Sequence, residues 1–350
     1  MRFVVLGGTR FIGPYLVREL VEAGHQVTVF HRGETEADLP SSVRHVHGDF
    51  GELEERLPEL GDPAPDVVID MVPYIAKSGG HGVLHFKGIA RRGLVLTSCD
   101  VYRAFARFWR SEPGPPDPLP LTEESPLRRK VAPDRGSIRV DFDNVEVEEQ
   151  VRCDARFPVT SLRLPATYGP GDRQHRLYEL VARMDDARPA ILVDERFAGW
   201  RWVRGYVEDV AAAIALAAAD ERAAGRVYNV AQPEAYSEAQ WAQMVADAHG
   251  WRGDVVTVPH EIMPESMRAD YDERQEYVVS SALIRNELGF EERVPLNEGL
   301  RRTIEWERAN PPAGAEPDYE AEDRALAQLG PVVARRVQGT KKHTLGTPPT

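Results

Sequence analysis

The chain has little cysteine: Cys99 and Cys153 are the only two in 350 residues. Two thiols build neither a disulfide framework nor a cysteine-rich metal centre, and such sparing use fits a reducing, cytoplasmic setting. No apolar run approaches the roughly 18 residues that a membrane-spanning helix needs. The first residues already read as a strand, so no signal peptide and no membrane association are expected. Positive charge is also short, with 43 Lys and Arg against 56 Asp and Glu, a net charge of −13. That balance opposes non-specific attraction to nucleic acid, so a nucleic-acid partner is not expected. Histidine offers little metal-ligand spacing. His81 and His85 stand at i, i+4 without a third ligand nearby, and His45 and His47 alternate on a strand. No metal is expected.

What the chain does have begins at its third residue. The β-branched run Val4-Val5-Leu6 ends in Gly7-Gly8-Thr9-Arg10-Phe11-Ile12-Gly13, and an amphipathic stretch from Tyr15 to Ala23 follows at once. A strand, a glycine-rich turn and a helix in that order form a dinucleotide-phosphate cradle. Gly7 permits the tight turn, Gly13 permits close helix–strand packing, and the helix N-terminus faces the phosphates. The second strand, Gln26 to Phe30, ends in His31-Arg32, where an NAD-selective site would carry an acid for the ribose 2′-hydroxyl. Arg10 and Arg32 could instead clamp a 2′-phosphate, so NADP is favoured over NAD.

Strand and helix signals alternate through the first half: a strand at Val43–His47, a helix at Glu52–Leu60, a buried strand at Asp66–Asp70, a helix at Gly80–Arg91 and a strand at Gly93–Thr97. A proline-rich loop from Pro113 runs to Gly136, followed by a helix at Ile138–Ala155 and a strand at Pro158–Leu164. That rhythm implies a parallel sheet with right-handed crossovers. After Leu164 come helices at Gln174–Asp186, Val207–Ala219 and Ser237–His249, separated by short strands at Ile191–Val193, Arg226–Asn229 and Val255–Val258. The expected fold is α/β, a Rossmann-type doubly wound parallel sheet with a smaller C-terminal α/β substrate lobe. The divisions are residues 1–165 for the nucleotide-binding domain, 166–310 for the lobe interleaved with the sheet's end, and 311–350 for a tail. A helix is expected at Tyr319–Leu329 and disorder over Gly339–Thr350.

Together these residues resemble the extended short-chain dehydrogenase/reductase superfamily, its nucleotide-sugar epimerase and dehydratase group. Leu162-Arg163-Leu164-Pro165-Ala166-Thr167-Tyr168-Gly169-Pro170-Gly171-Asp172 resembles the family's strand and YGPGD segment beside the nicotinamide, and Tyr206-Val207-Glu208-Asp209-Val210 its later helix entry. The Gly-Gly-Thr-Arg-Phe-Ile-Gly spelling is similar to an atypical branch that includes chloroplast stem-loop-binding proteins. The resemblance implies Asp49 and Phe50 at the adenine, Met71 and Val72 along the adenine-ribose side, and Pro165 near the nicotinamide. Asp49 also suits a helix N-cap, and Pro73 removes a donor beside Val72.

The family's catalytic unit departs here. Ser98 stands after the fifth strand as the resemblance requires, but the Tyr-x-x-x-Lys pair of the next helix is missing. Setting that helix by Glu148 puts Val140 and Asn144 at the two positions, and setting it by Glu149 puts Asp141 and Val145 there. A positioned acid/base contributes about 10²–10⁴ in rate, so other groups must serve; Asp100 and Tyr102 are the nearest titratable ones to Ser98. Arg173, Arg201 and Arg204 are candidates for a substrate diphosphate. Arg107, Phe108, Trp109 and Arg110 mix cations with aromatics and read as a loop anchor or a base-stacking platform. The favoured activity is an NAD(P)-dependent epimerase, dehydratase or reductase on a sugar-like or nucleotide-sugar small molecule, with a homodimer left open. The alternative is a catalytically silent NADP-binding regulatory or RNA-associated protein.

Overall fold

Continuous apolar runs, instead of alternating ones, mark strands buried on both faces, and the computed structural model assembles seven of them into one parallel sheet. It describes residues 1–72, 82–129, 143–152, 154, 156–268, 270–314 and 317–329. Strands β1 (Arg2–Leu6), β2 (Gln26–His31), β3 (Arg44–His47), β4 (Val67–Asp70), β5 (Arg92–Ser98) and β6 (Val159–Leu164) enter the sheet, joined at one edge by β10 (Val227–Asn229). The order is β10-β6-β5-β4-β1-β2-β3. The strand order reverses between β1 and β4, the crevice where doubly wound sheets bind ligands.

Helices α1 (Ile12–Glu22) and α6 (Val207–Ala219) cover one face, with Leu16, Val17, Leu20, Val210, Ile214 and Ala217 buried against Val5, Val29, Leu94 and Leu162. The opposite face carries α2 (Leu53–Leu60), a 3-10 turn at Gly82–Phe86 and α4 (Asn144–Val151). A short helix that the sequence did not announce, α3 (Arg103–Phe108), packs through Ala104, Phe105 and Phe108 in a cluster with Phe197, Trp200, Val203 and Tyr277.

The remaining elements form a second layer beyond the sheet's C-terminal edge. β7 (Ala166–Tyr168) pairs with β9 (Arg204–Tyr206), and β8 (Ala190–Asp194) pairs with β11 (Asp254–Val258), both in parallel. Helices α5 (Tyr178–Asp185), α7 (Glu238–His249) and α9 (Leu296–Ala309) pack together around Val181, Trp241, Val245 and Ile304. α8 (Ala282–Leu288) packs on the main core, and α10 (Tyr319–Leu329) closes the β8–β11 pair through Ala325.

Several expected boundaries move. The Gly80–Arg91 helix is a 3-10 turn over its described part, and the Gln174–Asp186 helix starts only at Tyr178, because Asp172 instead closes a turn on the amides of Gln174 and Arg176. The Arg226–Asn229 strand, read as part of the lobe, hydrogen-bonds to β6 as the sheet's edge. Pro73, His81, Val140, Asp141, Cys153 and Gly339–Thr350 lie outside the described residues.

Candidate active site

A cavity of about 890 Å³ opens at the strand-order reversal. Gly7 leaves β1 at φ +93° and Gly8 at +91°, conformations that L side chains rarely adopt. At Gly13 an added Cβ would sit 2.4 Å from the backbone of Gly8, so the helix can approach the turn only without a side chain there. Phe11, at φ +48°, ends the turn and offers α1 no side-chain cap, and Phe11 and Ile12 line the cavity at the start of this eleven-residue helix. This cradle fits a dinucleotide pyrophosphate.

Gly7, Thr9, Arg10, Phe11, Ile12, Arg32, Asp49, Phe50, Met71 and Val72 all line this cavity. Gly13 supports it from behind. Asp49 accepts the Gly51 amide at 2.8 Å and closes a capping box with Glu52, so its carboxylate serves the turn while bordering the cavity. Thr35, Glu34 and His31 line the cavity as well and were not foreseen. Arg32 Nη2 stands 2.7 Å from Glu34 Oε2, while Arg10 donates to Thr35 Oγ1 at 2.9 Å and lies 3.9 Å from Glu34. The two guanidiniums therefore flank one carboxylate.

The far end of the cavity is closed by Thr97, Ser98, Asn144 and Leu164. Ser98 Oγ accepts the Asp100 amide at 3.2 Å and caps the 3-10 turn Cys99–Val101. Asn144, the first residue of α4, donates from Nδ2 to Asp100 Oδ1 at 2.9 Å. Arg128 donates from Nε to the Asp100 carbonyl at 2.8 Å and grips the Asp143 carboxylate at 2.7 and 3.0 Å. Asp143 caps α4 through the Val145 amide.

Tyr102 does not belong to this site. It is buried in the core, where its hydroxyl donates to Asn229 Oδ1 and accepts from Arg163 Nη1 at 3.0 Å. Burial pushes its phenol well up, beyond the range of a working acid/base. The 3-10 turn carries the chain inward before Tyr102, and Arg163 is in turn fixed by Glu148 at 2.9 and 2.6 Å. Tyr102 is thus a structural residue.

Ser98 and Leu164 also border a second, solvent-open cavity of about 700 Å³, lined by the outer layer. Its walls are aromatic: Phe108 stacks on Trp200 with centroids 4.8 Å apart, Trp200 tilts over Trp202 at 4.9 Å, and Tyr271 leans on Phe108 at 4.5 Å. Tyr168, Phe197, Trp241 and Tyr277 complete it, with Pro165 and Asp100 near the junction. Pro165 therefore faces this second cavity instead of the first.

The three arginines assigned to a substrate diphosphate separate. Arg204 lines the cavity, pairs with Glu238 at 2.6 Å and lies 4.4 Å over the Trp241 ring. Its Nη1 is buried with no hydrogen-bond partner among the described residues. Arg201 points away, held by Glu276 at 2.6 and 2.7 Å and bordering a different surface depression. Arg173 is exposed and lines neither cavity; Arg176 takes the cavity position, tied to Asp172 at 2.6 Å. Phe108 and Trp109 belong to the cavity wall instead of a base-stacking loop. Cys99 is buried, and desolvation raises its thiol pKa well above the usual range.

A glycine cradle at the switch point, adjoining a second cavity lined by aromatic residues, has the form of a dinucleotide-binding α/β protein. Residues 3–82 and 145–231 match the NAD dependent epimerase/dehydratase family, which supports a place in the extended short-chain dehydrogenase/reductase superfamily. It is 28% identical to 2′-dehydrokanamycin reductase of Streptomyces kanamyceticus over 76% of this chain and 72% of that protein. It is 24% identical to UDP-glucose 4-epimerase of Corynebacterium glutamicum over 87% and 94% of the two chains. An epimerase structure from Methanothermobacter thermautotrophicus shares the fold, with a TM-score of 0.65, 19% identity and coverage of 88% and 92%. Among the described residues, no helix is long and apolar enough to cross a membrane.

Proposed function

We propose that the chain is an NAD(P)-dependent oxidoreductase or epimerase acting on a sugar-like ring seated in the aromatic cavity. The observation that carries this reading is the shared border: Ser98 and Leu164 face both the dinucleotide cleft and the substrate cavity. The nicotinamide supplies hydride transfer when bound. Ser98 Oγ orients the reacting hydroxyl or carbonyl oxygen. Asp100, held by Asn144 and Arg128 at the cavity edge, carries the proton in place of the missing tyrosine.

The cavity's chemistry favours a ring that offers apolar faces to the aromatic wall and hydroxyls or amines to its few polar groups. Each cavity arginine already has a carboxylate partner, Arg204 with Glu238 and Arg176 with Asp172. That pairing disfavours a nucleoside diphosphate, which needs unneutralised cations. Ring-ketone reduction on an amino-glycoside scaffold, the activity named for the Streptomyces relative, suits such a cavity. NADP is the favoured cofactor because two guanidiniums, Arg10 and Arg32, oppose the single carboxylate of Glu34 at the ribose end. The test is oxidation of NADPH against a panel of keto-sugars and keto-aminoglycosides. Turnover that falls in Ser98→Ala supports the reading; a tightly bound dinucleotide never oxidised by the panel favours the silent binding protein.

A further inference from the structure

Three imidazoles and one carboxylate gather where β2 and β3 end, beside the ribose end of the cleft. His31 closes β2, and its register partner across the parallel ladder is His47 on β3. His45 lies two residues before His47 and so shares its face, while Val46 turns the other way into the core. Glu36 comes from the loop after β2. One ligand atom from each of His31, Glu36, His45 and His47 lies within 4.8 Å of all the others.

We propose that these four residues bind a divalent transition-metal ion of the zinc class. Nitrogen and carboxylate ligands bind zinc at about 2.0–2.2 Å, which spaces tetrahedral ligand atoms about 3.3–3.5 Å apart. The chain brackets that spacing: His31 Nε2 is 2.9 Å from His45 Nδ1, and His47 Nε2 is 3.5 Å from Glu36 Oε1. Imidazole with one carboxylate is a donor set suited to zinc, nickel, copper or iron, not to calcium or magnesium. Burial is graded across the cluster, from His31 at 6% exposed to His47 and Glu36, whose side chains are more than half exposed. An ion thus has an anchored inner ligand and an open path from solvent.

The His31 ring meets His47 edge-on at 4.6 Å and His45 at 5.1 Å, so the ends of β2 and β3 hold three imidazoles together beside the single carboxylate of Glu36. Without the metal, Gly33 donates its amide to His31 Nδ1 at 3.2 Å, so Nε2 carries the proton toward His45. Metal capture at Nε2 moves that proton to Nδ1 and breaks the Gly33 bond. Gly33, at φ +74°, is the residue that can absorb the change.

The experiment titrates the untagged, metal-stripped full chain with Co²⁺ alone, reading the visible absorption of a nitrogen- and oxygen-ligated ion, and repeats it with Zn²⁺ by calorimetry. The expected result is one equivalent of either metal, with affinity reduced about tenfold or more in His45→Ala and in His47→Ala and unchanged in the distant His85→Ala. His47 is exposed, so its variant tests the ligand without disturbing the core; a dichroism spectrum matching the parent checks both variants. Absence of stoichiometric uptake by the parent chain, or uptake equal in all variants, overturns the proposal.

Discussion

Asn144 donates a 2.9 Å hydrogen bond from its side-chain amide to Oδ1 of Asp100. It does so from the first position of α4, where the superfamily's register, set by Glu148, would place lysine. On the proposed reading, a neutral donor steers the Asp100 carboxylate where that register would place a cation. Asp100→Asn is accordingly expected to leave dinucleotide affinity intact and to lower turnover by about 10²-fold or more. Asn144→Ala should lower kcat less, since it removes one hydrogen bond to the carboxylate and leaves the carboxylate in place. Steady-state kinetics beside calorimetric cofactor affinity checks both.

Tyr102→Phe separates the structural role from the catalytic one. Loss of its hydroxyl leaves Asn229 Oδ1 and Arg163 Nη1 each short of a buried partner. The cost should be about 1–3 kcal/mol of stability, read by denaturant unfolding, with kcat nearly unchanged. A hundredfold drop in kcat at full stability would return Tyr102 to the active site.

Selectivity at the ribose end is tested by charge. Arg32→Asp should weaken NADP by about 1–3 kcal/mol and shift preference toward NAD. Glu34→Gln should do the opposite, because it releases both Arg10 and Arg32 to a phosphate. Calorimetric affinities for the two dinucleotides in each variant decide it; equal affinities in the parent chain would show that the pair carries no selectivity.

Asp70, at the end of β4, predicts a pH dependence of stability. Complete burial raises its carboxyl to about 7, against the lowering effect of the Val83 and Val72 amides that it accepts. Unfolded, it titrates near 3.8. Between those values the folded chain holds a proton that the unfolded chain has lost. Its contribution is therefore fully present below about pH 4 and is lost as pH rises toward and through about 7, by an amount on the order of a few kcal/mol. Asp70→Asn should flatten that slope in thermal melts taken across the window; an unchanged slope would contradict it.

The cofactor half of the site was legible in the sequence because its determinants are local. Gly7, Gly13 and Ile12 act through one turn and one helix, and the β-branched runs announce the parallel sheet. The substrate half was not. Its aromatic wall joins Phe108, Trp200, Trp241 and Tyr271 from four separate segments, and no spacing rule links them. Trp200, Trp202, Val203 and Arg204 line the cavity, while Arg201 between them turns to Glu276. Proximity in sequence misled at Tyr102, since one 3-10 turn after Ser98 sends it into the core. His31 pairs with His47 only through strand register, which a reading of β3 alone could not supply.

In the proposed reading the nicotinamide end of a bound dinucleotide meets the aromatic cavity at Ser98. A crystal structure with reduced dinucleotide bound shows whether it does. The expected pose has the pyrophosphate on the amides that follow Gly8, the ribose end between Arg10 and Arg32, and the nicotinamide opening toward the aromatic cavity, with room for a reacting atom about 3–3.5 Å from both the ring and Ser98 Oγ. A nicotinamide directed away from Ser98, or a dinucleotide seated outside the Gly7–Gly13 turn, would contradict it.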